Sequence, residues 1–238
     1  MKLIKRLLVL TKEINRQIRS NTPKEEAKHK LTMLNDPKEV KESWTPFSTS
    51  KKEIEEMLVS MGQVIVGDDF LKIENYPFEP SIAFKQTIFK PHEIDEIDFK
   101  SYLPTIRIKD ELIFLPSEKR SELENLGKRN KINIVERLGI WNAILEPFLD
   151  TEFTNEAGKR TSQFLENYGL TNEQVKTLRK EVELQMLKYN FDTTLWEWVD
   201  LNASDVLRAM MPKYNKEEFK NFYEQVMTIA LLPKKSDQ

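Results

Sequence analysis

The sequence predicts an α+β protein that is mainly helical, with a small mixed or antiparallel β-sheet module in the middle and a helical block at the C-terminal end. Its six glycines in 238 residues fall below average usage and argue against turn-dense β-sandwiches. Short β-branched and aromatic runs are confined to residues 64–135, whereas apolar residues recur at steps of three and four from residue 175 onward. We expect N-terminal helices with an irregular linker over 1–62, a small α+β module over 63–136 and a helical block over 137–238. The last two segments are also compatible with one continuous globular unit.

Composition and charge exclude several classes of protein. The chain has no cysteine, which excludes disulfides, thiolate nucleophiles and iron–sulfur clusters. Its net charge of −2, with 39% apolar and 32% charged residues, argues against a strongly basic nucleic-acid binder and against wholesale disorder. No run approaches the roughly 18 apolar residues that a transmembrane segment requires, and no signal-peptide pattern is present. We therefore predict a cytoplasmic protein.

The N-terminal thirty residues hold the strongest charge asymmetry. They carry nine Lys or Arg residues and three acids, so the rest of the chain has a net charge of −8. Apolar residues at helical spacing predict an amphipathic helix, whose basic face could dock on an acidic partner protein or lie on an anionic membrane surface. Packing of this helix on its own domain is the structural alternative. Nucleic acid is disfavoured because aromatic residues do not interleave with the cations. The candidate docking residues are Lys2, Lys5, Arg6, Lys12, Arg16 and Arg19.

A linker and one short helix precede the β-rich middle. The segment 35–50 contains two prolines and several Ser and Thr residues, which is typical of irregular chain. Ser50 is suited to cap a helix that runs over Ile54, Leu58 and Met61 and ends near Gly62, because a Ser side chain accepts from the first free amides and Gly tolerates the left-handed exit.

The middle segment is predicted to contain about five strands and one crossover helix. Apolar and β-branched runs predict strands over 64–66, 70–73 and 82–89, followed by a hairpin over 104–108 and 112–115. A helical pattern over 117–130 then leads to a strand-like run over 132–135. A strand, helix, strand order of this length is typical of a parallel pair added to an otherwise antiparallel sheet.

The densest cluster of titratable groups lies within this middle segment, at residues 92–98. Its side chains could ligate a metal or perform acid–base chemistry only if they converged on one point. The spacing of Ile94 and Ile97 instead favours a helical turn that buries the two isoleucines and exposes the acids. The candidate groups are His92, Glu93, Asp95, Glu96 and Asp98.

The last hundred residues are predicted to be helical. Residues 137–149 form a helix around Trp141 whose regularity Pro147 limits, and a second helix closes at Gly169. Thr171 and Gln174 have the spacing of a capping box for a long third helix. A further helix over 204–211 stops at Pro212. Asn215 caps the final helix.

Two residue sets in this block invite functional interpretations. Glu146, Asp150 and Glu152 could bind a divalent cation, although Asp150 also suits a helix terminus. The tryptophans Trp141, Trp196 and Trp198 could bind a partner as an aromatic platform, although large aromatic side chains more often anchor a core or a protein interface.

The absence of recognisable catalytic motifs sets the functional expectation. We find no phosphate-binding loop, dinucleotide fingerprint, nucleophile elbow or metalloprotease motif. We therefore expect a non-enzymatic protein-interaction or regulatory protein without a cofactor or a bound metal, whose basic N-terminal helix docks on another protein. Two alternatives stay open: a carboxylate-based metal-dependent hydrolase, which requires at least three of the candidate acids to converge, and a peripheral membrane-associated protein.

Overall fold

The computed structural model describes residues 47–149, 154–193 and 200–235. The chain divides into two compact units, residues 1–48 and residues 49–238, and the described helices and strands lie in the second. In the described residues, eight α-helices and two small sheets confirm the α+β class, with the sheets in the middle and a helical block following them. The basic segment over residues 1–30 lies outside the described residues.

The first sheet follows a short capped helix. Helix α1 (Lys51–Met57) begins at Ser50, whose hydroxyl accepts from the Glu53 amide while the Glu53 carboxylate accepts from the Ser50 amide. Strands β1 (Gln63–Val66) and β2 (Leu71–Glu74) then pair antiparallel. Gly62 joins helix to strand at φ +80, and a Cβ there would lie 2.4 Å from the Glu74 carbonyl oxygen. Glycine is therefore required at this turn.

The strand predicted over residues 82–89 is wrong in its first half. Residues Ile82–Lys85 form helix α2, and only β3 (Ile88–Phe89) pairs with β2. The Ser81 hydroxyl accepts from the Ala83 amide at 3.0 Å, and the Glu111 carboxylate accepts from the Ile82 amide at 3.1 Å. These two bonds satisfy the first free amides of a helical turn, so tertiary contacts override the local β-propensity.

The second sheet contains the predicted hairpin and the predicted crossover. Strands β4 (Glu96–Asp98), β5 (Thr105–Ile108) and β6 (Glu111–Phe114) are antiparallel. Helix α3 (Arg120–Asn130) then leads to β7 (Asn133–Ile134), which pairs parallel with β4 and gives the order β6-β5-β4-β7.

The helical turn predicted around Ile94 and Ile97 is wrong. A single 3-10 turn covers Pro91–Glu93, and strand β4 begins at Glu96. Both isoleucines are buried as expected. Asp98 is buried as well, however, because strand geometry places it among backbone donors and not in solvent.

Five helices form the C-terminal block within the described residues, and the predicted caps are confirmed. Helix α4 runs into a 3-10 turn that contains Pro147. Thr171 and Asn215 each form a full capping box at the start of their helices. The helices are α4 (Ile140–Leu145), α5 (Asn155–Asn167), α6 (Asn172–Asp192), α7 (Ala203–Met210) and α8 (Lys216–Ala230).

One hydrophobic core contains side chains of both sheets and of the helical block. Trp141 lies within it and donates its indole N–H to the Val226 carbonyl at 3.0 Å, which ties α4 to α8. Among the described helices, none is long and apolar enough to cross a membrane.

Candidate functional site

An open concavity of about 720 Å³ lies where α2, the loop before it and the start of α8 meet. We call it the apolar groove. Its wall side chains are mostly apolar or aromatic, and charged side chains stand along its edges. The walls are formed by Pro77, Pro80, Phe84, Met211, Tyr214 and Phe219, and the edges by Glu79, Lys85, Asn215, Lys216, Glu217 and Lys220.

Glu111 fixes the elements that carry the two walls. From β6, its carboxylate accepts from the Ser81 hydroxyl, from the Ile82 amide and, at 2.7 Å, from the Tyr223 hydroxyl. The first two donors belong to the start of α2, and the third belongs to α8. One carboxylate therefore holds α2 and α8 against the same hairpin, and it sets the width of the groove between them.

An aromatic cluster supports the groove from below. The Phe78 ring lies 6.3 Å from the Phe219 ring and 6.0 Å from the Tyr223 ring, and it meets Tyr76 edge-on at 5.6 Å. The Tyr76 hydroxyl accepts from the Phe114 amide, and burial raises the pKa of both tyrosines. These hydroxyls therefore stay neutral, and the cluster serves as a rigid apolar support.

The turn between α7 and α8 is held by helix α6. Tyr214 donates its hydroxyl to the Glu181 carboxylate at 2.8 Å, and the Lys213 ammonium donates to the Glu181 carbonyl at 2.9 Å. Desolvation by burial is the main reason that the pKa of Tyr214 is raised. The polar end of Tyr214 is thus used within the protein, while its ring contributes to the groove wall.

The groove leaves apolar area in contact with solvent. The Phe84 side chain is 50% exposed, although phenylalanine is among the residues most often buried. At the edge, the Lys216 ammonium pairs with the Glu79 carboxylate at 3.0 Å and links the loop before α2 to α8. Lys220 pairs with Glu224 at 3.6 Å. An apolar centre with a charged edge is the usual anatomy of a protein interface.

Comparison of the chain with protein-family models, curated proteins and solved structures finds no match.

A second concavity, of about 240 Å³, lies between the second sheet and the helical block, and we call it the cleft. Asp98 lies in its wall and accepts from the amides of Lys100, Ser101 and Arg137 and from the Ser101 hydroxyl. Nearby, the Asn142 side-chain amide donates to the Asp200 carboxylate at 2.6 Å. The polar groups of the cleft are therefore largely used by the chain itself.

The described candidate acids do not converge. Glu93 accepts from the Lys90 amide at 2.7 Å and from the Gln86 side chain, which lowers its pKa, and Asp95 accepts from the Lys109 amide at 2.6 Å. Glu146 accepts from the Thr161 hydroxyl. No group of three or more His, Asp or Glu side chains suited to a metal occurs in the described part of the chain. Asp150 and Glu152 lie outside the described residues, so the hydrolase alternative stays a prediction.

Of the predicted partner-binding residues, Trp141 alone lies within the described residues. Trp141 is buried in the core and also lines the inner wall of the cleft. His92, which belongs to the titratable cluster over residues 92–98 and not to the predicted partner-binding set, lines a separate open depression with Lys90 and Lys131. The N-terminal cations and the remaining two tryptophans, Trp196 and Trp198, lie outside the described residues, so their proposed role stays a prediction.

No local sequence pattern distinguishes the groove residues. Residues 76–80 contain two prolines between two predicted strands, so their sequence predicts only a turn. An available signal was the combination of three aromatic residues, Tyr76, Phe78 and Phe84, in and near this proline-rich turn. The partnership with the 211–220 segment had no local signal, because it depends on tertiary packing.

Proposed function

We propose that this chain is a non-enzymatic protein-interaction protein that binds a polypeptide segment of a partner in the apolar groove. The observation that carries the proposal is the half-exposed Phe84 beside prolines, Met211 and Tyr214 in a groove with a charged edge. Aromatic residues and Met are enriched in interfaces, whose rim is polar and accessible to solvent. A regulatory role through such binding follows naturally, because no reaction is required of the site.

A polypeptide fits the groove better than a small molecule does. Small-molecule sites place a few polar groups so that they converge on the ligand. Here the Tyr214 hydroxyl is used by Glu181, and Glu79 is used by Lys216 at the edge. The remaining apolar walls offer contact area for side chains of a partner and little directional bonding.

The test uses the tagged full-length chain in lysate of the cells that produce it, compared with two variants. Phe84→Ser removes the exposed ring of the groove, and Leu138→Ser removes a side chain that is 59% exposed at the cleft. Each side chain is only about half buried, so each change should lower the free energy of unfolding by about 1 kcal/mol. The recovered partner is quantified, purified and titrated against all three chains.

The proposal predicts that Phe84→Ser weakens binding of the partner at least about tenfold, which corresponds to about 1.4 kcal/mol, while Leu138→Ser binds like the unmodified chain. Loss of binding on Leu138→Ser with full binding by Phe84→Ser would assign the interface to the cleft and overturn the proposal. Recovery of no partner by the unmodified chain would also contradict it.

The basic N-terminal segment belongs to the same proposal as a separate docking element. Its cations include Lys5 and Arg6. Changing both residues to Glu should weaken the binding of an acidic partner, and Phe84→Ser should still weaken binding by the same factor. Binding of the same chain to anionic vesicles, lost on this double change, would instead support the peripheral membrane alternative.

A further inference from the structure

We infer that strand β1 is the contact surface of a homodimer, in which it pairs antiparallel with β1 of a second copy about a two-fold axis at Ile65. β1 lies at an edge of the first sheet, whose order is β1-β2-β3, and it does not line the apolar groove. The inference is therefore independent of the proposed function. It follows from the backbone groups that β1 leaves without a partner and from the lack of charge along the strand.

The backbone of β1 alternates between groups that bond to β2 and groups that point to the outer edge of the sheet. Gly67, directly after β1, donates its amide to the carbonyl of Phe70, the residue opposite, at 2.9 Å. Hydrogen-bonded pairs alternate with non-hydrogen-bonded pairs in an antiparallel ladder, so the next hydrogen-bonded position of β1 is Ile65. Val64 and Val66 therefore direct their amide and carbonyl groups away from β2.

The neighbouring strand shows the same alternation. Val64 lies opposite Ile73, whose amide donates to the Thr87 carbonyl on the far side of β2 at 2.8 Å. Ile73 thus bonds away from β1, as a non-hydrogen-bonded pair requires. Among the described residues, no other group bonds to the backbone of Val64 or Val66 on the outer edge. Two donors and two acceptors, at the spacing of a β-strand, are left for another chain.

The other sheet edges within the described residues are protected. On β6, both outward amides donate to side chains, one of them from Phe114 to the Tyr76 hydroxyl at 3.1 Å. On β3, the Gln86 side-chain amide donates to the outward carbonyl of Ile88 at 2.8 Å. β7 contains only two residues. Covered and very short edges are the usual protection of a sheet against pairing with another chain, and β1 has no such cover.

The free groups of β1 complement those of a second β1. When two copies run antiparallel with their Ile65 residues opposite each other, Val64 of each copy lies opposite Val66 of the other. Each of these two pairs exchanges two hydrogen bonds, so four bonds satisfy all four free groups of both copies. The two three-stranded sheets then form one continuous sheet of six strands.

The side chains of β1 suit the same pairing. Residues 63–67 include no charged residue and no proline, the residue types that often prevent pairing at a sheet edge. Ile65 is 51% exposed on the outer face, and the dimer places the two Ile65 side chains in a non-hydrogen-bonded pair, where side chains lie closest. Lys72, opposite Ile65 within the sheet, pairs with Glu74 at 2.9 Å. No like charges therefore meet at the axis.

These features favour a second copy over a strand of an unrelated protein. An uncharged strand selects no partner by charge. A second copy supplies the matching donors, acceptors and isoleucine by symmetry, because the same surface serves both sides of a two-fold interface.

The test measures the mass of the full-length chain by sedimentation velocity from about 5 µM to about 1 mM, because small interfaces associate weakly. Ile65→Glu places two carboxylates opposite each other at the axis, while within its own chain the new carboxylate lies opposite Lys72 and should not disturb the fold. Ile88→Glu is the matched control. Ile88 is 47% exposed and also lies opposite Lys72, but it belongs to the protected edge β3.

Two further measurements test the register. Ile65→Lys alone should be as monomeric as Ile65→Glu, whereas an equal mixture of these two variants should associate, because opposite charges then meet at the axis. Deuterium exchange of the Val64 and Val66 amides, followed by NMR on the unmodified chain, needs no substitution. Both amides should exchange more slowly as the concentration of the chain rises.

The expected result is a dimer that forms with rising concentration. Its dissociation constant should rise at least about tenfold in Ile65→Glu and stay within about twofold in Ile88→Glu. Phe84→Ser should dimerise like the unmodified chain, because β1 and the groove are separate surfaces.

Several results would overturn the inference. A chain that stays monomeric at every concentration has no such interface. A dimer that Ile65→Glu leaves intact, or a mixture of the two charge variants that does not associate, excludes pairing at Ile65. Loss of the dimer on Phe84→Ser would assign self-association to the apolar groove. The first two results leave the proposed function intact, because that function depends on Phe84 and a different partner.

Discussion

The apolar groove and the cleft are two concavities of one chain that treat their polar groups in opposite ways. In the cleft, Asp98 accepts four hydrogen bonds from its own chain, and Asp200 accepts from Asn142. In the groove, the Tyr214 hydroxyl bonds to Glu181 and Lys216 pairs with Glu79 at the edge, while Phe84 remains half exposed. The polar groups of the cleft therefore stabilise the fold, whereas the groove leaves apolar surface exposed to solvent.

The largest expected effect belongs to the cleft. Asp98→Ala leaves three backbone amides and the Ser101 hydroxyl without their acceptor in a site that is almost fully buried. We expect the free energy of unfolding to fall by about 4 kcal/mol, because unsatisfied buried groups cost about 1–3 kcal/mol each and are partly rescued by water. Urea unfolding of the full-length chain measures this loss.

Asp98→Asn is the graded control, because it retains one carbonyl acceptor and should lose about half as much stability. Under conditions where Asp98→Ala is still folded, its binding of a groove peptide should equal that of the unmodified chain. Equal stability of Asp98→Ala and the unmodified chain would mean that these hydrogen bonds do not support the fold.

The next effect depends on pH and concerns the helix start beside the cleft. Burial is the main reason that the pKa of Asp205 is raised from 3.8 to about 6. Its carboxylate accepts from the Asn202 amide and from the Tyr189 hydroxyl. The folded chain therefore binds this proton more tightly than the unfolded chain does. The resulting stabilisation is complete below about pH 4 and is lost as pH rises through about 6.

Asp205→Asn removes this titration. The difference in the free energy of unfolding between the variant and the unmodified chain should change by up to about 3 kcal/mol between about pH 4 and about pH 7. Chemical unfolding at a series of pH values measures the difference. A difference that is constant over this range would contradict the assignment of the raised pKa to Asp205.

Glu111→Gln tests how the groove is held open. The amide replaces one acceptor oxygen, so at least one of the bonds from Ser81, Ile82 and Tyr223 is lost. We expect a loss of about 2 kcal/mol in the free energy of unfolding, together with weaker binding of a groove peptide. Glu118→Gln, at an exposed position, is the matched control and should change neither quantity. Unchanged peptide binding by Glu111→Gln would show that Glu111 does not position the walls.

The smallest expected effect on stability is that of Phe84→Ser, about 1 kcal/mol for a half-buried ring, combined with the largest effect on binding in the groove. Thermal unfolding and peptide titration measure the two quantities on the same sample. A large loss of stability would mean that Phe84 packs as part of the core and is not an available contact surface.

The sequence predicted the elements that local chemistry decides. The capping boxes at Thr171 and Asn215 and the crossover that ends in β7 were predictable because caps, helical spacing and connection length are local properties. The helix over Ile82–Lys85 was not, because its first amide is satisfied by Glu111, 29 residues away. The burial of Asp98 has a different cause: the predicted helical turn was wrong, and strand β4 places the Asp98 carboxylate beside the amides of Lys100, Ser101 and Arg137.

The candidate site was less predictable than the fold. A groove wall joins residues 77–85 to residues 211–220 through an aromatic cluster, and periodicity within either segment does not reveal the pairing. Acids that are adjacent along the chain, such as Glu93 and Asp95, accept from different backbone amides. Proximity in sequence was therefore a poor guide to convergence.

The most direct test of the central claim places a photo-reactive benzoylphenylalanine at position 84 of the full-length chain and, in a matched chain, at position 102. Tyr102 is also an exposed aromatic residue, at 58%, but it lines the cleft. After irradiation in native lysate, we expect one discrete partner to be cross-linked at position 84, and the same partner to be absent at position 102. Cross-linking of that partner at position 102 alone would contradict the assignment of the groove as the interface.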